Sequence, residues 1–157
     1  MINLFQPNLG DEELTLIKDV FTSNWLGKGS GVKDFESKFA ASLSSNSKQF
    51  LSTTSCTEAI FLSAKLFNFS KGDEIIVPTI SFPSIGSAII ESEAKIVFCD
   101  VDRRSLNARV EDIQKVISNK TKAIYITHYG GVPCEMDEII ELCNQHKIVV
   151  IEDSACA

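Results

Sequence analysis

Asp153 follows the apolar, β-branched run Ile148-Val149-Val150-Ile151 and the acidic Glu152, so a carboxylate stands where a buried strand would end. Such a run reads as a parallel strand covered on both faces, and open parallel sheets bind ligands at the carboxyl ends of their strands. Burying a charge there is costly, which makes Asp153 a candidate for chemistry and not for packing. A second candidate is Ser52-Thr53-Thr54-Ser55-Cys56-Thr57-Glu58-Ala59, at a strand-to-helix turn. Hydroxyls and free N–H groups at a helix N-terminus form an anion cradle. Ser55 and Glu58 also have the spacing of a capping box, so capping and anion binding weigh evenly and are compatible. Phe82, in Ser81-Phe82-Pro83, has the shape to stack on a flat ring, although taken alone it reads first as core. In Thr127-His128-Tyr129-Gly130-Gly131 the histidine reads as structural, because no metal-ligand spacing joins it to His146 or to a cysteine.

Hydroxyls and amides, an aromatic ring and a carboxylate would meet on one rim if their strands run parallel. That set matches the needs of pyridoxal 5'-phosphate: a helix N-terminus for its phosphate, an aromatic face for its ring, and a carboxylate that keeps its pyridine nitrogen protonated. The elements that must position these groups alternate along the chain. Strands are predicted at 49–52, 74–77, 95–99, 123–127 and 148–151, with helices at 57–67, 83–92, 110–118 and 135–145. In the third of these helices Val110, Ile113, Val116 and Ile117 are spaced for one apolar face. Strands separated by helix-length segments imply βαβ crossovers, hence an α/β fold with a mainly parallel sheet and flanking helices. The first residues differ: an amphipathic helix at 12–23, a glycine-rich loop at 24–31, and a second helix marked by Phe35, Phe39 and Leu43. The expected organisation is a helical and loop arm over 1–45 and a βαβ core over 49–157, within one domain spanning 1–157.

With 157 residues the chain suits one domain with a real core, and its net charge of −6 argues against nucleic acid or an anionic membrane as partner. No apolar run approaches the length of a membrane span, and the N-terminus lacks the pattern of a signal peptide. Five cysteines, an odd number without a Cys-x-x-Cys pair, read as reduced thiols, so a cytoplasmic location is expected. A nucleotide-triphosphatase reading of the final strand fails, because no G-x-x-x-x-G-K-[ST] loop precedes it.

From Asn24 to Ala157 the sequence resembles the DegT-type sugar aminotransferases. The resemblance rests on Trp25-Leu26-Gly27-Lys28-Gly29 with Phe35-Glu36, on Ser55-Cys56-Thr57-Glu58-Ala59, and on Lys71-Gly72-Asp73-Glu74-Ile75-Ile76-Val77-Pro78. It continues through Thr121-Lys122-Ala123-Ile124, His128-Tyr129-Gly130-Gly131 and Ile151-Glu152-Asp153-Ser154-Ala155. The stretch from His128 to Asp137 is most like members that aminate a dTDP-linked 4-keto sugar. The resemblance implies the N-terminal part of the large domain of a fold type I pyridoxal-phosphate transferase. It implies that Thr57 and the backbone of Glu58 hold the cofactor phosphate, that Phe82 stacks on the ring and that Asp153 pairs with the pyridine nitrogen. Cys156 stands near the pyridoxal hydroxyl, where many relatives carry Gln or His, and Glu58 stands where relatives usually carry Ala. The substrates implied are a nucleotide-linked keto sugar and an amino-acid donor such as glutamate. In that family the Schiff-base lysine lies downstream of the aspartate, on a segment absent from this chain, so the chain is expected to be truncated and inactive alone. The implied partner is a second copy or a complementing C-terminal chain. A non-catalytic binding half-protein and a dehydratase of the same family are the alternatives.

Overall fold

A computed structural model describes residues 6–46 and 49–157, which divide into two compact units, the boundary in the chain falling between Ser52 and Thr53. The division puts 49–52 with the N-terminal unit, whereas the sequence pattern assigned it to the core.

The N-terminal unit holds two helices, α1 (Asp11–Ser23) and α2 (Ser30–Ser42). Between them Trp25 lies over a glycine. A Cβ on Gly29 would stand 2.9 Å from Trp25 Cδ1, so the residue under the indole must lack a side chain. Lys28 Nζ reaches Glu36 Oε1 at 3.0 Å, and the same oxygen accepts from Ser52 N–H at 3.0 Å and from its hydroxyl at 2.9 Å. The strand expected at 49–52 does not form. The Ser52 amide, which a strand would give to a neighbouring ladder, is committed to the Glu36 carboxylate, and Gln49 N–H turns back onto Asn46 O.

The second unit is an open, wholly parallel sheet of four strands in the order β2-β1-β3-β4, and the strands are β1 (Glu74–Pro78), β2 (Lys95–Cys99), β3 (Thr121–Thr127) and β4 (Val149–Asp153). Alternation along each strand divides the core in two. Ile75, Val77, Ala123 and Tyr125 pack against α3 (Cys56–Leu66) and α4 (Pro83–Glu91). Ile76, Ile124 and Ile126 pack with Ile113 of α5 (Val110–Gln114) and with Ile139 and Leu142 of α6 (Met136–His146). Each strand is therefore apolar on both faces, as a doubly covered parallel sheet requires. Helix α5 stops four residues short of its expected end, yet Val116 and Ile117 still pack on the second cluster. A hydrogen bond of 2.8 Å between Ser63 Oγ and the buried Tyr125 hydroxyl ties α3 to the middle of β3.

Because β1 leads leftward to β2 through α4 and the chain then returns across β1 to β3 through α5, the winding direction reverses between β1 and β3. A reversal of this kind opens a crevice at the carboxyl ends of the two strands.

Candidate functional site

The crevice is a cavity of about 300 Å³ between the mouth of α3 and the ends of β3 and β4, and it lies wholly within the second unit. Four of the five residues singled out in the sequence, Thr57, Phe82, Asp153 and Cys156, line it together, and Glu58 does not.

Asp153 ends β4 only 6% exposed. Its Oδ1 accepts from Ala155 N–H at 3.1 Å and from the Cys56 thiol at 3.7 Å. Burial first, and then the neighbouring Asp153 charge, push the Cys56 thiol above its ordinary range, so it stays a protonated donor. The alternation that sends Val149 and Ile151 toward α3 and α4 sends Asp153 the same way, and this places it at the α3 mouth.

At that mouth Ser55 is the N-cap, and its Oγ accepts from Glu58 N–H at 3.1 Å. The Glu58 carboxylate turns back to the Thr54 hydroxyl at 2.6 Å and the Thr54 N–H at 2.8 Å, and these bonds hold its acidity stronger than usual. The Glu58 backbone is thus engaged in capping, and its charge is held by Thr54. The first-turn amides of Cys56 and Thr57 have no partner among the described residues and, with the Thr57 hydroxyl, stand at one end of the pocket as groups that could receive an anion.

Phe82, the N-cap of α4, is 60% exposed and lines the cavity, which removes it from the core where it would rank on residue type alone. The Pro83 that follows it fixes the first turn of α4 and so the point where the ring leaves the backbone.

Tyr129 and Thr127 are among the lining residues to which the sequence assigned no role. Tyr129 opens a short 3₁₀ turn, Tyr129–Gly131, and contributes to the wall. Thr127 is 8% exposed, and its Oγ1 is buried without a partner among the described residues. Residue type alone could not separate Thr127 from any other strand-end threonine, since its significance comes from standing beside Asp153. His128 points the other way. Its Nδ1 accepts from Cys134 N–H at 3.1 Å, so the proton sits on Nε2 and is donated to Glu152 Oε2 at 2.9 Å. The histidine is a satisfied structural residue, as its isolation in the sequence suggested.

Among the described residues no helix is long and apolar enough to cross a membrane, and no cluster of three or more His, Cys, Asp or Glu side chains has the arrangement to hold a metal ion.

A parallel sheet that winds both ways, with a pocket at its switch point, an open helix mouth and a buried carboxylate, has the architecture in which α/β domains hold ligands. The chain belongs to the DegT/DnrJ/EryC1/StrS aminotransferase family, whose profile matches residues 7–157. It is 44% identical over 157 residues to dTDP-4-dehydro-2,3,6-trideoxy-D-glucose 4-aminotransferase of Saccharopolyspora spinosa, covering all of this chain and 41% of that protein. Its fold superimposes on the crystal structure of the aminotransferase TlmJ from Streptoalloteichus hindustanus with a TM-score of 0.97 at 43% identity, covering all of this chain and 43% of that one. It is also similar to the E. coli GDP-4-keto-6-deoxy-D-mannose-3-dehydratase with bound hydrated PLP, with a TM-score of 0.86 at 29% identity over 98% of this chain and 41% of that one. The chain thus spans about two fifths of the length of the relatives it matches.

Proposed function

We propose that this chain forms the cofactor-binding region of a pyridoxal-phosphate-dependent aminotransferase that acts on a nucleotide-linked keto sugar. The observation that carries the reading is the meeting of Asp153, the open Cys56 and Thr57 amides and Phe82 in one cavity. The residues present fit the group: a carboxylate with one oxygen already satisfied, a helix N-terminus for a phosphate and an exposed ring to lie against a flat heterocycle. When bound, pyridoxal phosphate supplies an electron sink through its protonated ring.

In this reading Asp153 holds the proton on the ring nitrogen, and its burial strengthens that ion pair. The Ala155 amide and the Cys56 thiol hold the carboxylate in place. The Thr57 hydroxyl and the first-turn amides of α3 bind the phosphate, Phe82 excludes water from one ring face, and Cys156 stands beside the ring hydroxyl. None of the lining residues is a lysine, and the lysine that completes the chemistry is taken to belong to the further length that the relatives have.

The sugar substrate is inferred from the relatives' names, which include a dTDP-sugar 4-aminotransferase and GDP-perosamine synthases. Glutamate is the donor we assign. The working form is an assembly, a homodimer or a complex with a complementing chain, since the edge strands β2 and β4 offer unpaired backbone.

The test uses 4'-deoxypyridoxine 5'-phosphate, an analogue without the aldehyde that would react with surface lysines. Saturable binding that Asp153→Asn weakens at least tenfold, with the fold intact by circular dichroism, supports the reading. No binding, or equal binding by the variant, sinks it.

A further inference from the structure

Asn107 is buried, only 4% exposed, and lies in the segment between β2 and α5, outside the residues that line the cavity. Its side-chain amide spans the turn that carries Tyr129. Nδ2 donates to Val132 O at 2.8 Å, and Oδ1 accepts from Tyr129 N–H at 3.0 Å. These partners also fix which end of the amide is which, because a carbonyl must receive the N–H and an N–H must meet the oxygen.

The turn's own main-chain bonds are few, although Gly131 packs closely on the Cys156 carbonyl. Within it Gly131 N–H reaches His128 O and Val132 N–H reaches Tyr129 O, while Gly130 and Gly131 adopt φ of 62° and 80°. One 3₁₀ turn rich in glycine has no cooperative stability of its own. His128 anchors the start of the turn through Cys134, Glu152 and its own N–H to Asp153 O at 3.2 Å, and Asn107 is the side chain that bonds both the first amide of the turn and the carbonyl just after it. An acceptor and a donor, both uncharged, at the spacing of one amide are what a buried clamp on main chain needs. Asp in this place would bring a charge against Val132 O, and Leu would take the partner from both the Tyr129 N–H and the Val132 carbonyl.

We propose that Asn107 is a positioning residue for the cavity: its amide clamps the Tyr129–Gly131 turn and thereby sets Tyr129 as part of the pocket wall. The inference rests on the cavity being the cofactor site.

The test compares the full chain with Asn107→Ala, Tyr129→Ala and the double variant. It uses hydrogen–deuterium exchange and affinity for 4'-deoxypyridoxine 5'-phosphate. Asn107→Ala is expected to speed amide exchange at 129–132 while β1, β3 and β4 stay protected. It should also weaken the analogue about five- to thirty-fold, the range that one or two lost hydrogen bonds produce. Tyr129→Ala should weaken it comparably, and the double variant should be no weaker than Tyr129→Ala alone, since one residue acts through the other. Additive losses, or unchanged affinity despite faster exchange, would show a role in stability only and overturn the proposal. Should Asn107→Ala fail to fold, Tyr129→Ala still decides, because unchanged affinity there removes the wall that Asn107 is argued to set. Wild-type chain that does not bind the analogue overturns the cofactor reading. Unaltered exchange at 129–132 in Asn107→Ala overturns the clamp by itself.

Discussion

Thr127 and Asp153 are register partners across the parallel ladder of β3 and β4, and both stand on the face that packs α3 and α4. The Asp153 carboxylate is hydrogen-bonded, whereas Thr127 Oγ1 is buried without a partner among the described residues. A buried, unpaired hydroxyl costs about 1–3 kcal/mol. Thr127→Val removes it while keeping shape and β-branching, so thermal melting should show equal or higher stability, by roughly 1 kcal/mol. A variant that melts well below the wild type would show that the hydroxyl has a partner in solution.

Gly131 marks the place where the turn after β3 meets the chain beyond β4. With φ at 80°, a Cβ there would stand 2.7 Å from the Cys156 carbonyl oxygen. Gly131→Ala thus meets both backbone strain and a main-chain collision, of order 1–3 kcal/mol for the strain alone. Gly130 has φ of 62° but open space around it. Gly130→Ala should therefore cost only about 1–2 kcal/mol. Denaturant melts of the two variants should rank them in that order, and the reverse order would mean that the two loops do not touch.

The sheet was legible because β-branched runs and an amphipathic helix face leave strong periodic signals. The end of β4 was legible because a carboxylate is an unusual residue there, whereas Phe82 and Thr57 drew their readings from the family resemblance. What escaped depended on contacts far apart in sequence. Residues 49–52 have strand composition, but the Ser52 amide is captured by Glu36, sixteen residues away, so no ladder forms there. Glu58, by contrast, makes the local bond that its spacing from Ser55 announced, and its carboxylate returns to Thr54. Asn107 carries no local signal at all, because its two partners lie beyond β3.

Glu36 gives a pH signature to the N-terminal unit. The Ser52 N–H, then Lys28 and the Ser52 hydroxyl, hold its carboxyl down at about 2. An unfolded glutamate titrates near 4.3, so the folded state favours the ionised form. The stabilisation is complete above the unfolded value and is lost as pH falls from about 4.3 toward about 2. Glu36→Gln should be less stable than the wild type at neutral pH, with the gap closing across that acid window in denaturant melts. A gap that does not change with pH would contradict the assignment.

The five thiols divide by environment, and that division provides a footprint of the cavity. Cys56 and Cys156 are exposed and line it, whereas Cys99, Cys134 and Cys143 are buried. Burial pushes the Cys99 thiol up to about 12, and the same cause raises Cys134 and Cys143. Alkylation requires the thiolate, so brief iodoacetamide treatment near pH 8 should label Cys56 and Cys156 and spare the other three. Cys56 should react more slowly than Cys156, because burial and the Asp153 charge disfavour its ionised form. A pyridoxal analogue seated against Asp153 would cover both cysteines at once. Peptide mass spectrometry should then show protection of Cys56 and Cys156 together, saturating with the analogue's own binding curve. Protection of one without the other would place the ligand away from Asp153, since Cys56 donates to that carboxylate and Cys156 follows it by three residues.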